Sequence, residues 1–247
     1  MKIAQNHRYS NWNDYIGAVW AELFICHSLD PNGSIVEVGP GFTDKIGLGL
    51  AACGFTGTLF IVEPNEAAAE WSLNRYRNLL IGANIVSFSE SLSKVGERLP
   101  EKIEGVFMNH ILDDMVLRAS LSDEVRNRIF DGMKNQLNCA PDVVRTWNSL
   151  FDSPATLRKR GNLVIADICR LLEATAPRLF GISQYESWFL RSHALHQTNR
   201  FSAGILKQLA NDIGGNCEKD KIILLDFGQQ PEHWLFFDRT ERAKGSE

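Results

Sequence analysis

The chain has 247 residues, 44% of them hydrophobic and 23% charged, with a formal net charge of −4. That size and apolar content suit one large α/β domain with its own core, and the mildly acidic balance offers no general attraction for phosphate backbones, so a small-molecule partner is expected rather than nucleic acid. Cys26, Cys53, Cys139, Cys169 and Cys217 stand far apart with no CxxC, which predicts no disulfide framework and no metal site; the polar N-terminus and the absence of a membrane-spanning apolar run add the expectation of a cytoplasmic protein.

Residues 9–29 read as a helix with Ile16, Val19, Trp20, Leu23, Phe24 and Ile25 on one side and Tyr9, Trp12 and Tyr15 at its start. It is expected to cap residues 34–238, with 1–33 as an N-terminal helical unit and 239–247 as a tail. Asp30-Pro31-Asn32-Gly33 is a turn by composition. A buried strand follows, Ile35-Val36-Glu37-Val38, and runs into Gly39-Pro40-Gly41, where two glycines let the backbone bend sharply and approach a ligand. A helix is predicted over 44–53, with Gly54 as its stop. Its first residues point free N–H groups at that turn. Glu37 is a carboxylate in an Ile/Val strand and needs a cationic or hydrogen-bonding partner.

Thr58–Val62 is the next short strand, ending in Glu63-Pro64-Asn65. One β-α-β repeat separates Glu63 from Glu37, which places Glu63 on the neighbouring strand at the same sheet edge as Gly39, with two oxygens suited to a pair of ribose hydroxyls. A helix over 66–81 carries the stripe Ala69, Leu73, Tyr76 and Leu80, and Gly82 ends it. Strands follow at 85–88 and 105–108, then a helix over 123–137 striped by Val125, Ile129, Met133 and Leu137, and a helix from Ser153-Pro154 to about Ala174. Arg178–Ser183 reads as a fifth strand, 203–213 as a helix, and 221–227 with 233–238 as a closing β-hairpin.

The string Val36-Glu37-Val38-Gly39-Pro40-Gly41 resembles the first motif of class I S-adenosylmethionine-dependent methyltransferases: an acid, any residue, then GxG. The third glycine of the dinucleotide fingerprint is absent, since that position is Asp44. The resemblance implies a Rossmann-like, doubly wound, mostly parallel sheet with a C-terminal antiparallel hairpin, and S-adenosylmethionine as cofactor. It implies contacts to that cofactor from Glu37, Gly39, Pro40, Gly41, Glu63, Pro64 and Asn109, and from Glu90 toward the adenine amino group. Asn109-His110-Ile111-Leu112-Asp113 is similar to the family's fourth motif in members acting on small molecules, and lacks the Pro-Pro-aromatic form used on nucleic acid bases. Methyl transfer to a small-molecule N or O nucleophile is the function implied, with His110, Tyr185 and Glu186 as candidates for handling the acceptor's proton. The alternatives are a non-catalytic cofactor- or partner-binding protein of the same fold and an NAD(P)-dependent oxidoreductase. The aromatic groups at 9–15 and at Tyr185 and Trp188 are expected to close over the site as a lid.

Overall fold

Short runs of β-branched and aromatic residues bounded by Gly, Pro or Asn make the sheet, because strands covered on both faces carry near-continuous apolar sequence. A computed structural model describes residues 9–134 and 140–240. In chain order its strands are β1 Ser34–Val38, β2 Thr58–Val62, β3 Asn84–Phe88, β4 Gly105–Asn109, β5 Leu179–Ser183 and β6 Trp234–Asp238. They form one sheet in the order β3-β2-β1-β4-β5-β6, parallel throughout except that β6 runs antiparallel to β5. The first connections step outward from β1 to β3, and the chain then returns to pair β4 on the other side of β1. This reversal opens a crevice between the exits of β1 and β4.

Helices cover both faces. On one lie α1 (Trp12–Cys26), α2 (Lys45–Ala52), α3 (Glu66–Leu79) and α11 (Glu218–Asp226), around Trp20, Phe24, Ile35, Phe107 and Phe236. On the other lie α4 (Leu92–Val95), α5 (Leu112–Arg118), α6 (Asp123–Lys134), α7 (Ala140–Phe151), α8 (Pro154–Thr175), α9 (Trp188–Ser192) and α10 (His196–Ile213), around Val36, Val106, Met108, Trp147 and Ile168. Alternation along β1 sends Ile35 and Glu37 to the first face, Val36 and Val38 to the second. In α1 the apolar residues face the sheet as expected except Ile25, which is 59% exposed. Gly49 lets α2 approach α1 closely, since a Cβ there would lie 2.8 Å from the Trp20 Cβ.

The elements depart from the sequence reading in the C-terminal half. Residues 221–227 are not half of a hairpin: 218–226 is helix α11, and the antiparallel partner of β6 is β5. The cap outweighs the β-branched pair Ile222-Ile223, because Asp220 accepts from the Cys217 N–H at 2.9 Å in a capping box. Helix α10 begins at His196, a full two turns before residue 203. Between β4 and β5 the chain builds α5 and α7 in addition to the two helices expected there. Helix α6 is described as far as Lys134, and Leu137 of its expected stripe lies outside the described residues, as does the tail from 241.

Candidate active site

Four neighbouring strand tips, those of β3, β2, β1 and β4, present the site. The Gly39 N–H donates to the Val62 carbonyl at 2.8 Å, which carries the β1–β2 ladder one residue past the strand and holds the glycine turn beside β2. The Glu63 N–H donates to Phe88 of β3 at 3.0 Å. Gly39 and Gly41 have φ of +62° and +60°, the left-handed region that favours glycine. A Cβ at Gly39 would strike Ile111 at 1.9 Å, so that glycine makes room for the next loop; a Cβ at Gly41 meets nothing within 4 Å and faces open space.

That space is a cavity of about 520 Å³ walled by Val38 to Thr43, Glu63 to Asn65, Ser91 and Leu92, Asn109 to Ile111, and side chains of α5, α6 and α8. Glu63 is buried at its floor. Its Oε2 accepts from the Gly41 N–H at 3.1 Å, and its Oε1 from the Asn65 N–H at 2.8 Å and from Arg118 at 3.3 Å. Burial pushes this carboxyl upward, against the pull of Arg118 and the two N–H groups. The Arg118 guanidinium in turn lies 3.7 Å over the Phe130 ring. Asn65 caps α3, its side chain accepting from the Ala68 N–H at 2.9 Å.

His110 leaves β4 at φ +54°, a conformation that costs a non-glycine residue and recurs at functional positions. It lines the cavity, its Nδ1 is 3.7 Å from Asp113, and its Nε2 is buried with no hydrogen-bond partner among the described residues. Burial lowers its pKa to about 4. Asp114, on the same cavity wall, is pushed up to about 7 by burial and by the neighbouring Asp113 carboxylate. Asp113 itself is tied down structurally, accepting from Gln184 at 3.1 Å while Gln184 accepts from the Leu112 N–H at the start of α5.

Of the residues expected from sequence, Gly39, Pro40, Gly41, Glu63, Pro64, Asn109 and His110 share this one cavity, and four others do not line it. The Glu37 carboxyl lies on the α1–α3 face, where Tyr76 donates to it at 3.0 Å; its other oxygen has no hydrogen-bond partner among the described residues, and burial pushes the group up to about 8. The required partner is thus a phenol rather than a cation. Glu90 is drawn off by Arg98, and Glu186 by His196 at 2.9 Å and Arg191 at 3.4 Å. Tyr185 is buried behind the wall, 5.0 Å from the His110 ring and accepting from Asn109 at 3.1 Å.

Residues not anticipated from sequence are Lys45, Asp114, Arg118 and the helix residues Leu163, Val164 and Asp167. Asp114 and Arg118 lie one turn apart on α5, an i, i+4 pairing that marks one helix face once α5 is known to be a helix. The aromatic groups do meet, Trp12 packing edge-on against Tyr185 at 5.5 Å, but they stand outside the cavity wall, and Trp188 is 77% exposed. Away from the site, His27, Cys217 and Asp220 bring ligating atoms within 4.8 Å of one another, and the imidazole and carboxylate there are hydrogen-bonded together at 2.6 Å.

The mostly parallel sheet with an antiparallel last strand, carrying a glycine turn after β1 and an acid after β2, is the arrangement that the Val36–Gly41 motif leads one to expect. The fold is a doubly wound α/β sheet closed by one antiparallel strand. No protein-family model matches the sequence, and no curated protein does. Similar solved structures include the methyltransferase domain of bacterial CtHen1, at 14% identity and TM-score 0.43 over 82% of this chain and 86% of that one. Another is coclaurine N-methyltransferase bound to N-methylheliamine and SAH, at 10% identity and TM-score 0.39 over 89% and 70%. A third, the [4+2]-cyclase SpnF, has 10% identity and TM-score 0.38 over 92% and 83%. No helix among the described residues is long and apolar enough to cross a membrane.

Proposed function

We propose that the chain is an S-adenosylmethionine-dependent methyltransferase acting on an N or O nucleophile of a small molecule. The observation that carries this reading is the placement of the Gly39–Gly41 turn and the Glu63 carboxylate at adjacent strand tips on one cavity, with the Gly41 face left open. The residues fit the cofactor there. Glu63 is buried and ion-paired with Arg118, and its two oxygens retain lone pairs for a pair of ribose hydroxyls; the glycine turn admits the chain that joins ribose to the amino acid; Lys45 on the wall is placed to meet a carboxylate. Glu37 makes no such contact, since its carboxyl is turned to Tyr76.

Bound S-adenosylmethionine supplies an activated methyl group on a sulfonium, so the protein's part is alignment and exclusion of water. In this reading the His110 ring, neutral at pH 7, forms part of the wall that positions the acceptor. Asp114, with a pKa near the working pH, is the better matched group to take the proton away. Tyr185 and Asn109 hold the His110 loop from behind.

Calorimetry with S-adenosylhomocysteine and with NADH tests the reading. S-Adenosylhomocysteine is expected to bind at about −7 to −9 kcal/mol and NADH not to bind. Glu63→Ala is expected to weaken S-adenosylhomocysteine by about 2 to 4 kcal/mol, as a charge-assisted contact does when one side is cut. Absence of heat with S-adenosylhomocysteine at millimolar concentration rules the cofactor out.

A further inference from the structure

The strand order lays out the cavity as a line. Successive exits of β1, β2 and β3 stand about 4.8 Å apart, and they contribute Gly39–Gly41, then Glu63, then Ser91 and Leu92. A nucleoside whose ribose meets Glu63 and whose 5′ substituent runs past the glycine turn toward His110 therefore directs its base to the exit of β3. The acid that sequence reasoning assigns to that end, Glu90, is not on the wall: it is ion-paired with Arg98, whose guanidinium stacks 4.6 Å over Phe88. An exocyclic amino group entering there needs an acceptor from somewhere else.

Helix α8 brings one. It packs along α4, the element that follows β3, with Ala174 close enough to touch a Cβ at Gly96 at 3.7 Å. Two turns earlier the same helix presents Leu163, Val164 and Asp167 to the cavity, an i, i+1, i+4 face. Ile168 and Leu171 are buried in the core and fix its rotation. Arg170 takes Oδ1 of Asp167 at 2.8 Å, which orients the carboxylate, and Oδ2 has no hydrogen-bond or ion-pair partner among the described residues.

We propose that Asp167, reaching in from α8, is the residue that selects adenine in this pocket, its Oδ2 accepting a hydrogen bond from the 6-amino group, with Leu92 and Val164 as the apolar walls against the ring. This rests on the cofactor reading above. It moves base recognition from the end of β3 to a helix of the β4–β5 insertion, so that the insertion takes part in holding the nucleoside as well as roofing it.

The test compares S-adenosylhomocysteine with its 6-deamino purine analogue by calorimetry, in the wild type and in Asp167→Ala, Asp167→Asn and Glu90→Ala. The wild type and Glu90→Ala are expected to prefer the adenine ligand by about tenfold or more, the range of a hydrogen bond to a charged group. Asp167→Ala is expected to lose that preference while its affinity for the purine analogue stays unchanged, and Asp167→Asn, which keeps an acceptor oxygen, to retain part of it. Alanine at a half-exposed helix position favours the helix, so the variant is expected to fold. A preference that survives in Asp167→Ala, or vanishes in Glu90→Ala, overturns the assignment to Asp167 while leaving the cofactor reading in place. A wild type that binds neither ligand overturns both.

Discussion

Among the described residues Glu37 has one hydrogen-bond partner, the Tyr76 hydroxyl, and its second oxygen has none. Folding raises its pKa from 4.5 to about 8 because burial penalises the charged form more than the phenol helps it. A carboxyl raised in this way contributes stability that is fully present below its unfolded pKa and is lost as pH rises through the folded one. Glu37→Gln keeps the acceptor for Tyr76 and removes the titration. Urea denaturation from pH 5 to pH 9 is expected to show the difference between wild type and variant growing in the variant's favour with pH, reaching on the order of a few kcal/mol above pH 8. A constant difference across that range means that Glu37 stays ionised in the fold. Glu63 and Glu90 show the same physics from opposite sides. A carboxylate at a strand tip beside a glycine turn has fixed neighbours and can be placed from spacing, whereas one on an exposed loop takes the nearest guanidinium, and for Glu90 that is Arg98.

At the scale of the element, α1 is a packing helix rather than a flap. Asn11 caps it, its side chain accepting from the Asp14 N–H at 3.0 Å, and Tyr15 is buried, donating to the Phe227 carbonyl and accepting from Gln229 at 2.9 Å. Those partners belong to the end of α11 and the loop after it, so the aromatic start of α1 is spent on joining the two ends of the domain. Tyr15→Ala is accordingly expected to cost about 3 kcal/mol of stability, as large-to-small changes at buried aromatics do, and to leave S-adenosylhomocysteine affinity within about threefold. A urea midpoint measured with calorimetry separates this from a lid, for which stability is unchanged and ligand handling fails. Helix α11 makes the complementary point. Its Ile222-Ile223 pair favours a strand locally, and the Cys217–Asp220 cap and the place already taken by β6 beside β5 decide for a helix.

For the whole molecule, the closing contacts span most of the chain. His27 sits buried between two carboxylates, with Nε2 2.6 Å from Asp220 and Nδ1 3.2 Å from Asp238, and Arg178 reaches Asp238, Glu104 and the carbonyls of His27 and Ser28. Removing the imidazole takes one partner from each of two buried acids, leaving Asp220 the Cys217 N–H and Asp238 the Arg178 guanidinium, so His27→Ala is expected to destabilise by about 3 kcal/mol, and a double-mutant cycle with Asp220→Asn to recover part of that loss. Additive effects in the cycle mean that the pair is not coupled. None of this network can be read along the chain, because His27 and Asp238 become neighbours only when β6 closes the sheet. The local rules carried the rest a long way. Glycine at φ near +60°, short apolar strands at β-α-β spacing and an acid at the tip of β2 determined the parallel sheet, the edge at which the cavity opens and its Gly39–Glu63 floor, since each depends on residues a few positions apart. Tertiary structure alone decided which way the Glu37 carboxyl faces, that the C-terminal segment before β6 is a helix, and that the cavity is roofed by Arg118, Phe130 and Asp167 from α5, α6 and α8, because those outcomes turn on packing between segments whose separation in sequence carries no periodicity to betray it.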